Sequence, residues 1–150
     1  VCSSDLNDAS SWRLQEILAG VPTLYPDTIG AFVLQMSNLQ IIDGVSFKKG
    51  CFPGQEVVAR MQYLGKLKRR MYLAEMACSD CPQPGDELTR LGADKADGSG
   101  RVVDAVAISP GRCMLLFIAQ IDKAEAGELL LLKQPSSELT LLPLPYEIPT

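Results

Sequence analysis

The hydrophobic positions of this chain follow two different patterns, and the change from one to the other lies near residues 65–70. Before that change, apolar side chains recur at helical spacing from Trp12 to Ala19, and Gly20 is placed to end the helix. A second short helix is predicted over residues 55–62, directly after a turn rich in glycine and proline. Residues 32–38 are weakly patterned and fit either a strand or a loop.

Beyond residue 70 the pattern changes to short apolar runs separated by turn residues. Each run has the length of a strand: residues 71–76, 101–108, 113–121, 129–133 and 139–142. Proline, glycine and an Asp-Gly pair occupy the intervals, as expected for tight turns. Short strands at this spacing predict a small antiparallel β-barrel or β-sandwich. We expect an α+β fold with two domains, residues 1–66 and a second domain, a β-barrel, over residues 67–150.

The charge is unevenly distributed along the chain. The 150 residues carry a net charge of −4, but residues 48–70 contain seven basic side chains against the single acid Glu56, a local charge of +6. Because the chain as a whole is acidic, we expect no direct binding of nucleic acid. The basic segment predicts either a solvated strand edge or a surface that contacts an anion.

The cysteines and the absence of histidine narrow the possible chemistry. Five cysteines without a recognisable leader favour a reducing compartment, the cytoplasm, over a disulfide framework. No histidine is present, which excludes Ser-His-Asp and Cys-His catalysis in this sequence. The CxxC pair Cys78 and Cys81 is expected in an incidental surface loop, with a disulfide or a shared metal contact as the alternatives. We predict no metal site.

The first residues of the sequence are unusual. The sequence begins at Val1 rather than at methionine, so we expect a fragment whose first six residues are a cloning or assembly remnant. No apolar run approaches the ~20 residues that a membrane helix needs. We therefore expect no membrane partner.

The most informative segment is the turn around Cys51. This cysteine lies between Lys48-Lys49 and a predicted helix start, and both a cation and a helix N-terminus stabilise a thiolate. Gly50 and Gly54 would let the backbone approach a ligand closely. Two interpretations follow from the residues alone: a reactive or ligand-contacting thiol on a rigid turn, or a buried structural cysteine.

The sequence Lys-Lys-Gly-Cys-Phe-Pro-Gly-Gln-Glu-Val-Val-Ala-Arg, residues 48–60, resembles the signature of the YgfZ family. Residues 12–22, 38–47 and 141–146 are similar to the family's segments before the signature and at its C-terminus. One departure is Phe52, which replaces the commoner tyrosine and therefore lacks a phenol donor but keeps the aromatic surface.

This family is related to the glycine-cleavage T-protein. The resemblance implies the C-terminal part of a T-protein-like, YgfZ-like folate-binding domain within residues 1–66, followed by the β-barrel. Cys51 would be the critical thiol, and Trp12 would contact folate, whereas the helical pattern alone predicts a core position for Trp12. The implied cofactor is tetrahydrofolate. The implied signature residues are Lys49, Gly50, Cys51, Phe52, Gly54, Gln55, Glu56 and Arg60.

The resemblance also implies a function. The protein would be a folate-binding accessory factor that supports assembly or repair of [4Fe–4S] clusters and hence tRNA modification by thiolation. Its partners would be folate and iron–sulfur enzymes such as tRNA-thiolating proteins, and it would act as an accessory factor rather than as a classical enzyme. Two alternatives stay open: a folate-dependent aminomethyl or methyl transferase of the T-protein type, and a purely structural barrel module.

Overall fold

A computed structural model describes residues 9–149. It contains three α-helices, α1 (Ala9–Leu18), α2 (Glu56–Leu64) and α3 (Ile121–Glu125), and two 3-10 turns, Pro26–Thr28 and Leu34–Ser37. None of the helices in this part of the chain is long and apolar enough to cross a membrane. The expected remnant over the first six residues, including Cys2, lies outside the described residues.

Six strands form one antiparallel sheet. They are β1 (Arg69–Ala77), β2 (Glu87–Arg90), β3 (Gly100–Ser109), β4 (Arg112–Gln120), β5 (Leu129–Leu131) and β6 (Leu139–Leu142). The order across the sheet is β5-β2-β3-β4-β1-β6, and the sheet curls into a half-barrel. The α+β class is therefore confirmed, and the expected barrel takes the form of a half-barrel, with β5 and β6 at its two edges.

Most of the predicted elements are present. Both helices and five strands are confirmed, with ends that differ from the prediction by a few residues. The weakly patterned segment contains the 3-10 turn Leu34–Ser37. Two elements were not predicted. Strand β2 has only four residues and no apolar run, and Ile121, expected to end a strand, begins the short helix α3.

Both faces of the central strands are buried. Alternate residues of β1, β3 and β4 face the inside of the half-barrel, where the largest are Phe117, Met76 and Leu115. The intervening residues, among them Met71 and Leu116, pack on the other face against Ile17 of α1. Because each face is covered, β4 is apolar over residues 113–119 rather than alternating, which explains its continuous hydrophobic run. The two predicted domains stay a prediction, but the described N-terminal residues share a core with the sheet.

A buried carboxylate joins the N-terminal segment to the sheet. The β3–β4 register shifts between Val102 and Asp104, and Asp104 is completely buried. Its Oδ1 accepts from Nε of Arg13 at 2.5 Å and from the N–H of Ala105 at 2.9 Å, and its Oδ2 accepts from the Tyr25 hydroxyl at 3.2 Å. The Arg13 guanidinium also lies 5.1 Å from the centre of the Tyr25 ring. The carboxylate therefore binds two side chains of the N-terminal segment.

A second connection involves Tyr146 near the C-terminus. Its hydroxyl donates to the carbonyl of Gly20 at 2.8 Å and accepts from Nδ2 of Asn38 at 3.3 Å. Asn38 has a left-handed φ of 60° and also donates to the Met71 carbonyl at 3.1 Å. A Cβ at Gly20 (φ +68°) would lie 2.7 Å from the Tyr146 ring, so glycine is required there. The three segments that resemble the YgfZ family outside the signature, residues 12–22, 38–47 and 141–146, therefore meet at the Tyr146 hydroxyl.

Replacement of Asp104 tests this anchoring. Asp104→Ala removes the acceptor of Arg13 and Tyr25, and we expect it to lower the free energy of unfolding by roughly 3 kcal/mol. Glu87→Ala is the matched control, because the Arg101–Glu87 pair is more than one-third exposed on both sides and should lose less than about 1 kcal/mol. Urea unfolding followed by circular dichroism measures both. Equal, small losses would contradict the anchoring role.

Candidate functional site

The signature turn lies on the surface. Its backbone is held by two side chains from the start of α2: Oε1 of Gln55 accepts from the N–H of Phe52, and Oε1 of Glu56 accepts from the N–H of Gly54, both at 3.1 Å. The Phe52 carbonyl accepts from the Gln55 N–H at 3.2 Å. Gly54 has a φ of +95°, which favours glycine. Gln55 and Glu56 therefore shape the turn that carries Cys51.

These hydrogen bonds also affect the charge of Glu56. Its carboxylate accepts from its own N–H and from that of Gly54, and both bonds lower the pKa of Glu56. The carboxylate is therefore ionised at neutral pH. The sequence places it in the first helical turn, where a negative charge is favourable, and α2 does begin at Glu56.

Cys51 is exposed at the tip of this turn. Its thiol has one hydrogen bond, to the Phe52 carbonyl at 3.8 Å. The interpretation of Cys51 as a buried structural cysteine is therefore wrong. Activation of its thiol by Lys48, Lys49 and the helix start stays a prediction.

A hydrogen bond connects helix α2 to the 3-10 turn Leu34–Ser37. Nε2 of Gln35, a residue that is only 3% exposed, donates to the carbonyl of Val58 at 2.6 Å. None of the α2 side chains that the structure describes is fully buried, whereas α1 buries Ile17. Gaps consequently remain around α2.

Three cavities adjoin this helix. One of about 260 Å³ is lined by the signature turn, including Lys49, Cys51 and Gln55. A second of about 470 Å³ is mainly apolar, with Phe32 and Val57 in its wall. Their combined lining offers one thiol, one cation and an apolar surface, a composition typical of small-molecule sites.

The third cavity, of about 500 Å³, is lined by Gln35, Gln40 and Arg70. The Oε1 atoms of both glutamines are buried and accept no hydrogen bond within the described residues. An unpaired buried acceptor is costly, so both oxygens lower the stability of this region. Sequence reasoning missed both glutamines, since they lie in weakly patterned segments.

The basic segment remains largely free to bind anions. Five of its cations are exposed and have no ion pair within residues 9–149: Lys48, Lys49, Arg60, Lys66 and Lys68. Arg69 instead donates to the carbonyl of Gly98 at 2.7 Å. Of the signature residues, Lys49 and Arg60 therefore supply uncompensated positive charge on either side of Cys51 in the sequence.

Trp12 does not occupy the expected position. It is 63% exposed on α1, and it lines none of the three cavities around α2. The core position predicted from the helical pattern is wrong, because the neighbouring Arg13 is the residue that turns toward the sheet and Asp104. A contact between Trp12 and folate stays a prediction.

The CxxC pair lies in a loop, but the prediction that both cysteines are on the surface is wrong for Cys78. Cys78 is buried, and its thiol donates to Sγ of Cys113 at 3.0 Å. The proximity follows from the β1–β4 register, which places Met76 opposite Cys113. Within residues 9–149, no group of three or more cysteine and acidic side chains is arranged to hold a metal ion.

Alkylation should distinguish these cysteines. Burial raises the pKa of Cys78 to about 12 and that of Cys113 to about 11, so both stay as thiols in mildly alkaline buffer, whereas Cys51 is exposed. We expect iodoacetamide to label Cys51 at least about ten-fold faster than either buried cysteine. Peptide mass spectrometry gives the rates, and urea-unfolded protein, in which the difference should vanish, is the control. Slow labelling of Cys51 in the native protein would contradict the exposed turn.

Comparison with known proteins places the chain by sequence. No protein-family model matches it. The tRNA-modifying protein YgfZ of Photobacterium profundum is 36% identical over 143 residues, which make up 95% of this chain and 44% of that protein. The protein of the same name from Pectobacterium carotovorum subsp. carotovorum is 34% identical over 143 residues, 95% of this chain and 43% of that protein. The chain spans less than half the length of these curated relatives. It is a homologue of the YgfZ proteins and corresponds to their C-terminal part.

Proposed function

We propose that this chain is the thiol-bearing part of a folate-binding accessory factor that supports [4Fe–4S] proteins and, through them, tRNA modification. The observation that carries the proposal is the exposed Cys51 on the signature turn of a chain whose relatives are named tRNA-modifying proteins. Resemblance to the YgfZ signature supplies the iron–sulfur and folate parts of the proposal.

The exposure of Cys51 supports a role toward another macromolecule. A thiolate ligates iron in clusters and can accept sulfur, and either role requires direct access to the sulfur atom. Cys51 has that access, and exposed cations lie beside it in the sequence at Lys48 and Lys49. Such cations attract acidic surfaces and anionic clusters and increase the rate of encounter.

The cavities around α2 supply groups that fit tetrahydrofolate. Apolar walls at Phe32 and Val57 suit a flat ring. Arg70, which lines the third cavity, suits a glutamate carboxylate. When bound, tetrahydrofolate supplies one-carbon and reducing chemistry. The residues of this chain would hold and orient it.

The transferase alternative is less well supported. Aminomethyl transfer to a folate nitrogen needs a carboxylate close to the ligand, and none of the three cavities around α2 has an aspartate or a glutamate in its lining. The same observation favours an accessory role for the described part of the chain. The structural-module alternative leaves the exposed Cys51 of the signature turn without a role.

The test is made in cells that lack the natural protein and receive it back with Cys51→Ser. We expect methylthiolated nucleosides in tRNA to fall to the level of cells without the protein, because the ligating and sulfur-accepting atom is gone. Nucleoside mass spectrometry measures the loss, and immunoblotting checks that the protein level is unchanged.

Ser136→Ala, a change of similar size in an exposed turn, is the control and should restore tRNA modification fully. Full restoration of tRNA modification by the Cys51→Ser protein would contradict the proposed role of the thiol. Folate-dependent amine release from an aminomethyl donor by the purified protein, unaffected by Cys51→Ser, would establish the transferase alternative instead.

A further inference from the structure

Three cysteines that are separated in the sequence lie together at one end of the half-barrel. Cys78 directly follows β1, and Cys113 is the second residue of β4. The Cys78 thiol donates to Sγ of Cys113 at 3.0 Å, and Cys81 packs against the buried cluster that contains both. The three thiols therefore form one group.

Of these three cysteines, Cys81 is the most accessible to solvent. All three cysteines line a cavity of about 400 Å³, together with the turn that connects β3 to β4. Cys78 is 9% exposed and Cys113 2% exposed, whereas Cys81 is half-buried. A small reagent that enters the cavity therefore reaches Cys81 first.

The positive charge of Arg13 distinguishes Cys81 from the other two thiols. Burial raises the pKa of Cys81, and Cys78 and Asp104 raise it as well, whereas Cys113 and Arg13 lower it. Burial raises the pKa of Cys78 to about 12 and that of Cys113 to about 11. Access and the charge of Arg13 thus point to the same cysteine.

We propose that Cys78, Cys81 and Cys113 form a thiol–disulfide exchange site that reacts with small-molecule disulfides and stores the oxidation as a Cys78–Cys113 disulfide. Cys81 is the entry thiol and Cys113 is the resolving thiol. The site is separate from the signature turn, and it does not depend on the function proposed for Cys51.

The exchange balances in three steps. The Cys81 thiolate attacks a small disulfide, forms a mixed disulfide and releases one small thiolate. Cys113 then gives up its proton to the departing small thiolate, attacks Sγ of Cys81 and releases the second small thiol. Finally Cys78 attacks Sγ of Cys113 while its proton passes to Cys81, which leaves as a thiol. In total, two protein thiols are oxidised, one small disulfide is reduced to two thiols, and Cys81 is regenerated.

The geometry requires little movement for the last bond. The two sulfur atoms of Cys78 and Cys113 are 3.0 Å apart. A shift of about 1 Å would bring them to covalent distance. Cys78 lies just past the end of β1, where its N–H is bound to the Gly111 carbonyl at 2.9 Å, so the shift is confined to the strand end.

Glutathione disulfide in a mildly alkaline buffer provides the test, on the protein with Cys2→Ser and Cys51→Ser to remove the other two thiols. We expect the native protein to lose two free thiols without retaining glutathione. After N-ethylmaleimide blocking, trypsin should release residues 71–90 joined to residues 113–123, with the label on Cys81.

Variants assign the roles. Cys81→Ser should slow disulfide formation by about ten-fold or more, yet give the same final Cys78–Cys113 bond. Cys113→Ser should stop at a glutathione adduct on Cys81, and Cys113→Ala is a second version in case the serine variant does not fold. Circular dichroism checks the fold of each.

The proposal is overturned if all three thiols of the native protein stay free in glutathione disulfide and react only in urea. It is also overturned if a protein with Cys113 intact accumulates the Cys81 adduct as its final product, because the resolving step would then be absent.

Discussion

A carboxylate buried in the middle of a sheet must be neutralised by nearby cations and donors. Asp104 finds them in Arg13 and Tyr25, two side chains of the segment that precedes the sheet. Burial and the nearby Asp104 carboxylate raise the pKa of the Tyr25 phenol, which therefore stays protonated and remains a donor. This interaction fixes where α1 and the following extended segment lie on the half-barrel.

The rest of the site depends on that placement. With α1 seated on the outer face, the 3-10 turn Leu34–Ser37 packs near β1, and Gln35 holds α2 through the Val58 carbonyl. The signature turn at the start of α2 is then displayed on the surface, shaped by Gln55 and Glu56 rather than by packing. The thiol of Cys51 is consequently presented on a defined turn while it stays open to a partner.

The periodicity of the sequence predicted much of this fold. Helical spacing identified α1, the turn rich in glycine and proline identified the start of α2, and apolar runs identified five of the six strands. Strand β2 was not predicted, because it is short, has few apolar residues and is stabilised by pairing with its neighbouring strands. The half-barrel could not be told from a closed barrel, since closure depends on pairing between the edge strands, which local pattern does not encode.

The site was predictable only in part. The signature identified the turn around Cys51, but the partners that hold α2 are glutamines without a recognisable pattern. Asp104 carried a signal that could have been used: a lone acid inside the apolar run of β3 indicates a buried charge that needs a cation. The proximity of Cys78 and Cys113 could not be predicted, because it depends on the register of two strands.

The most direct test of this account is native-state hydrogen exchange, because its central claim is that α1 and the sheet fold as one unit while the signature turn stays exposed. Peptide mass spectrometry should give the inner amides of α1 and those of β4 the same opening free energy, and their protection should be lost together in urea. The amides of residues 49–51 should exchange almost without protection. Exchange of α1 that is much faster than that of β4 would contradict the account, because the buried Asp104 would then not be holding the N-terminal segment on the sheet.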